Sequence, residues 1–109
     1  MRYLMMSKAS DTTPAPDERL YAEMAAFVEE LTAAGVLLAT GGLAPAGHRI
    51  VSVGDEISVT DGPFTEAKEA VAGFALVEVR SEEEALELAR RFRRIVGDGE
   101  SVMQQVFGP

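Results

Sequence analysis

Val71-Ala72-Gly73-Phe74-Ala75-Leu76-Val77-Glu78-Val79 is apolar at almost every position. A run with apolar side chains on both alternating faces reads as a strand covered on both sides, so it belongs in the middle of a sheet. Ser81-Glu82-Glu83-Glu84 follows directly. A serine with glutamate three residues on is the capping box that starts a helix. Ala85, Leu88, Ala89, Phe92 and Val96 then recur on one face, and Arg90, Arg91, Arg93 and Arg94 crowd the second half, where cations suit the helix dipole. Those arginines read as a solvated polar face. Gly97 ends the helix, and Glu100 to Phe107 alternates as a last strand.

Upstream of the central run lies Thr60-Asp61-Gly62-Pro63-Phe64-Thr65-Glu66-Ala67-Lys68-Glu69. Asp61, Gly62 and Pro63 are turn formers, and Phe64 puts an anchoring ring just after them. Before it, Arg49 to Val53 and Glu56 to Thr60 alternate with period two around Gly54-Asp55, which predicts a β-hairpin. Val36 to Thr40 predicts a strand running into a Gly41-Gly42 corner. Leu20, Met24, Phe27, Val28 and Leu31 share a face and predict a helix from about Pro16 to Ala34, with Asp17 and Glu18 in its first turn and Gly35 as its stop. Ser10 to Pro16 reads as a loop and Tyr3 to Ser7 as the first strand. The sum is an α+β chain of ferredoxin-like type, βαββαβ with an extra hairpin, both helices on one face of an antiparallel sheet. Met5, Phe74 and Val102 cannot all face the helices, so a second copy stacked on the other face is the expected cover.

The chain has 109 residues, the size of one domain, taken here as 1–109. Its formal net charge of −8 argues against a nucleic-acid surface or an anionic membrane, both of which call for a basic patch. The absence of cysteine excludes disulfides, thiolate chemistry and cysteine-based zinc sites. No apolar run reaches membrane-spanning length and no leader is visible, so the expected setting is cytoplasmic.

Asp61 is the first candidate for chemistry, as a general base made more basic by partial burial near Phe64. The commoner role of such an aspartate is to cap its own turn. Lys68 is a candidate for holding an anionic group, with Glu66 orienting it; a solvated ion pair is the plainer reading. His48 is the single histidine, expected in a loop beside Arg49, and it has the one side chain whose ordinary pKa lies near neutrality. Phe64 is a candidate wall for a ligand, though core is the more frequent fate of such a ring. One histidine and scattered carboxylates make no metal constellation, and Gly41-Gly42 lacks the spacing of a phosphate loop, so neither metal nor cofactor is expected.

The stretch from Val59 to Glu69, then Gly73-Phe74, resembles the YCII-related proteins, in particular their DGPF-motif branch. Tyr3-Leu4-Met5-Met6, Glu30-Leu31, Ala34-Gly35-Val36-Leu37 and Gly42-Leu43-Ala44-Pro45 are similar to that branch as well. The resemblance implies a ferredoxin-like fold that pairs into a dimeric α/β barrel, with the turn bordering a cleft of the homodimer. It implies no single activity. Relatives include an enzyme that removes chloride from a chlorinated hydroxyquinol, some carry a His–Asp pair, and some are encoded beside alternative sigma factors. This chain departs from the pair, having no histidine in the first helix. Two functions stay open: binding or transformation, of lyase or isomerase type, of a small anionic or cyclic metabolite in the cleft, using Asp61 and His48 with Lys68, Arg49, Glu66 and Phe64; or a non-catalytic regulatory or interaction role.

Overall fold

The computed structural model describes residues 1–8, 17–62 and 71–108. The expected loop from Ser10 to Pro16, and the stretch holding Phe64, Glu66 and Lys68, lie outside these residues. The described elements are β1 (Arg2–Lys8), α1 (Glu18–Ala33), β2 (Leu37–Gly42), β3 (His48–Val53), β4 (Glu56–Asp61), β5 (Val71–Glu78), α2 (Glu82–Val96) and β6 (Ser101–Val106).

The four long-range strands form an antiparallel sheet in the order β2-β5-β1-β6. With the β3–β4 hairpin set aside, this is the ferredoxin-like arrangement expected from the sequence. β1 sits between β5 and β6, with Tyr3 opposite both Val77 and Gln105, and Met5 opposite both Ala75 and Met103. Paired residues share a face. One face, carrying Tyr3, Met5, Val77 and Met103, packs under the helices against Phe27, Leu31, Ala85 and Leu88. The other face carries Leu4, Met6, Phe74, Leu76 and Val102, all partly exposed. Of the three positions that could not all face the helices, Met5 does so, while Phe74 and Val102 lie opposite.

Local chemistry sets the helix ends. Asp17 is the N-cap of α1, its carboxylate accepting the Leu20 N–H at 2.8 Å, so the helix proper begins at Glu18. Gly35 follows the C-cap Ala34 at φ +73°; its N–H donates to Thr32 and the Val36 N–H donates to Leu31, a Schellman closure. Ser81 caps α2 by accepting the Glu84 N–H, and Glu84 reaches back to the Arg80 N–H. β2 runs on through the expected Gly41-Gly42 corner, because Gly41 pairs with Phe74 and Gly42 with Gly73. The approach is close at Gly73, where a Cβ would sit 3.2 Å from the Gly41 carbonyl oxygen.

The arginine run divides in two. Arg90 and Arg94 meet Glu83 and Glu87 at the surface, as expected. Arg91 instead makes two parallel hydrogen bonds to Glu30, at 2.8 and 2.9 Å, and lies over the Phe27 ring, which ties α2 to α1. Arg93 donates to the Gly97 carbonyl and to Ser101, holding the end of α2 to the start of β6. The Arg91 hydrogen bonds hold the Glu30 carboxyl below its ordinary value of 4.5.

Two outcomes follow for stability. Asp17→Ala and Ser81→Ala each lower unfolding free energy by about 1 kcal/mol. The double variant loses close to the sum in denaturant titration, because the caps belong to separate helices. Glu30 has a folded pKa below its unfolded one, so its contribution is present above about pH 4.5 and fades as pH falls through the folded value. Glu30→Gln therefore lowers the melting temperature at neutral pH and flattens its fall below that point, which a melting series against pH reads directly.

Candidate functional site at the base of the hairpin arm

Among the described residues β3 and β4 pair only with each other, from His48 opposite Asp61 to Val53 opposite Glu56. Gly54 at φ +60° opens the two-residue turn, as a primed hairpin turn with glycine first requires. Every residue of both strands is exposed. The radius of gyration, 16.0 Å, exceeds the roughly 13 Å of a compact chain of this length, so the hairpin stands out as an arm.

The arm's register brings the two acid–base candidates together. His48 opens β3 rather than lying in a loop, and Asp61 closes β4 rather than sitting in a turn. Both are on one face of the base pair of the ladder, with His48 Nδ1 2.6 Å from Asp61 Oδ1. The Gly62 N–H donates to the Gly47 carbonyl just beneath them, closing the base. The first helix holds no histidine, so the departure from the relatives' pair stands, and this histidine and aspartate meet within the hairpin instead. An ionised carboxylate only accepts, so Nδ1–H is the donor and Nε2 is left as the acceptor. The aspartate fixes the tautomer and would stabilise an imidazolium, the arrangement of a histidine general base with its orienting group. Partial burial of Asp61 is not found, since its side chain is 87% exposed and that of His48 is 65% exposed. Strand alternation puts Arg49, opposite Thr60, on the other face of the arm.

A second feature lies between the helix-side face of the sheet and α1 and α2. It is a cavity of about 620 Å³. Met5, Met24, Phe27, Leu31, Phe92 and Met103 line it, with hydroxyls only from Ser7, Thr40 and Ser101 and one carboxylate, Glu82. Buried Tyr3 and Val77 mark one end of this face of the sheet, and the small residues Ser7, Gly73 and Ser101 the other. The arm joins the sheet at that second end, where Gly42 pairs with Gly73 and the Leu43 N–H donates to Ala72. No described arm residue lines the cavity. Sequence reasoning had no signal for it, because a gap between elements depends on how the helices sit over the sheet. Among the described residues no cluster of histidines and carboxylates could hold a metal ion, and no helix is long and apolar enough to cross a membrane.

Comparison with known proteins identifies the family and the fold. The model of the YCII-related domain matches residues 1–102. An uncharacterized protein of Rhizobium meliloti (strain 1021) is 37% identical over 76 residues, 68% of this chain. That match spans 61% of the relative's length. Among solved structures, 5-chloro-2-hydroxyhydroquinone dehydrochlorinase from Burkholderia phenoliruptrix AC1100, in complex with 2,5-dihydroxybenzoquinone, superposes with a TM-score of 0.56. It shares 16% sequence identity, over 100% of this chain and 96% of the other, a likeness of fold.

The His48–Asp61 geometry has a spectroscopic signature. Nitrogen-15 shifts of the single imidazole in its neutral form should show the Nδ1–H tautomer. Asp61→Ala should return it to a mixture led by Nε2–H, and an unchanged tautomer would show that the contact does not persist in solution.

Proposed function

The chain belongs to the YCII-related family, and from that premise we propose that it binds and transforms a small cyclic or anionic metabolite in a cleft of a cytoplasmic homodimer. The observation that carries this reading is the 2.6 Å contact between His48 and Asp61. An oriented imidazole with a free Nε2 can take a proton from a ring carbon or hydroxyl, which is the step that lyase and isomerase chemistry share. Asp61 then stabilises the imidazolium, and the proton returns to the substrate or leaves with the departing group.

The cavity supports a ring-sized ligand. Its volume falls within the roughly 300–1,000 Å³ of small-molecule sites, and its wall is apolar with a few hydroxyls. The fold neighbour is a dehydrochlorinase of a hydroxylated ring, which makes substrates of that class the first to try. From the sequence, the DGPF-type motif adds Lys68 as the charge for an anionic group, Glu66 to orient it and Phe64 as a wall, with Arg49 supplying further positive charge from the arm. Exposure of His48 and Asp61 in the single chain means that the reading needs a second copy to exclude water from the pair.

A thermal-shift screen of hydroxylated quinones, phenols and aromatic carboxylates, followed by assay of each hit for turnover, tests it. A ligand of the folded state raises the melting temperature by mass action. His48→Gln and Asp61→Asn should each lower kcat by about 10²–10⁴-fold while the ligand still binds. Lys68→Ala should weaken binding. Turnover unchanged in both acid–base variants would overturn the assignment of the pair. Absence of any ligand, with a protein retained from native extract, would favour the regulatory reading, such as a partner in an alternative sigma-factor circuit.

A further inference from the structure

We propose that the β3–β4 arm is a docking element for a second copy of this chain, and that seating it buries the His48–Asp61 pair in the interface. This deepens the homodimer reading above and rests on it. The arm's two faces differ. One carries Ile50, Ile57 and Val59, at 67%, 70% and 62% exposure, together with Ser52 and the His48–Asp61 pair. The opposite face carries Arg49, Glu56, Ser58 and Thr60 beside Val51 and Val53. Among the described residues no third strand or helix lies against this hairpin, and a lone two-stranded hairpin is marginal in water. An apolar face held out on such a hairpin therefore calls for a partner surface.

Charge and area identify that surface. Two copies at −8 each repel, so their contact must use neutral ground. The arm face at Ile50, Ser52, Ile57 and Val59 is uncharged, with the Asp61 carboxylate hydrogen-bonded to His48 at its base, and the open sheet face at Leu4, Met6, Phe74, Leu76 and Val102 is uncharged too. The four-stranded face, at ordinary strand spacing and rise, projects only about 400 Å². A stable pair buries about 800 Å² per partner. Sheet stacking alone thus falls short by about half. An arm face projects about 200 Å². In a symmetric pair each copy both gives an arm and receives one, so each arm face adds buried area beyond the sheet face. Because His48 and Asp61 share the face of Ile50, Ile57 and Val59, docking that face takes the pair out of solvent.

Light scattering on the full chain, over a concentration series, tests this. The wild type should be a dimer, and Ile57→Glu with Val59→Glu should raise its dissociation constant at least 100-fold while circular dichroism is unchanged. Ser58→Glu, on the opposite arm face, should leave it as it was. A second measurement needs no variant. Diethyl pyrocarbonate should acylate His48, the only histidine, at least tenfold faster below the dimer dissociation constant than above it. A monomeric wild type would overturn the pairing reading and this inference with it. A wild-type dimer broken by Leu76→Glu but untouched by the arm variant, or acylated at a rate independent of concentration, would overturn the arm's role and leave the pairing standing.

Discussion

The antiparallel register of β1 against β5 and β6 is the constraint on which the structure depends. Strand side chains alternate strictly, so fixing Tyr3 opposite Val77 fixes the face of every residue in the sheet. Tyr3, Val77 and Val79 then go under the helices, where they meet Phe27, Leu31, Ala85 and Leu88. A slip of β1 by one residue would send Leu4 and Met6 inward and put the buried Tyr3 into solvent. The caps at Asp17 and Ser81, and the forked contact between Arg91 and Glu30, hold the helices over a sheet whose faces are already assigned.

The close approach of β2 to β5 is a consequence of glycine. At Gly73 and Gly41 a Cβ would be tight, 3.2 Å from the Gly41 carbonyl oxygen and 3.3 Å from the Phe74 ring respectively, and the sheet narrows to small residues at that end. The arm leaves the sheet from the same end, and the apolar cavity reaches toward it. The His48–Asp61 pair closes the base of the arm and lines no part of the cavity. Among the described residues no strand or helix supports the rest of the arm, and Ile50, Ile57 and Val59 make one of its faces apolar.

Much of this was legible residue by residue. Each helix signal was local: a capping side chain three residues from the N–H it accepts, apolar residues at helical spacing, and a glycine past the end. The hairpin was legible from Gly54-Asp55 between alternating strands. The errors fell where local chemistry pointed one way and pairing decided another. Gly41-Gly42 looked like a corner but is strand, because Phe74 and Gly73 lie opposite. His48 and Asp61 looked like loop and turn residues, yet the ladder extends to include both. Arg91 and Arg93 looked like two more members of a solvated row, and each has instead a specific partner.

The sequence by itself determined the element order, the helix ends, the hairpin turn and the absence of thiol chemistry, because these follow from the conformational preferences and composition of neighbouring residues. Only the tertiary structure decided that His48 meets Asp61, that Arg91 binds Glu30 and that a cavity opens between sheet and helices. The first pair is 13 residues apart in the chain and the second 61, and the cavity is bounded by both helices and the sheet. Such contacts are set by strand register and helix packing, which are properties of the whole core and leave no mark in any short window of sequence.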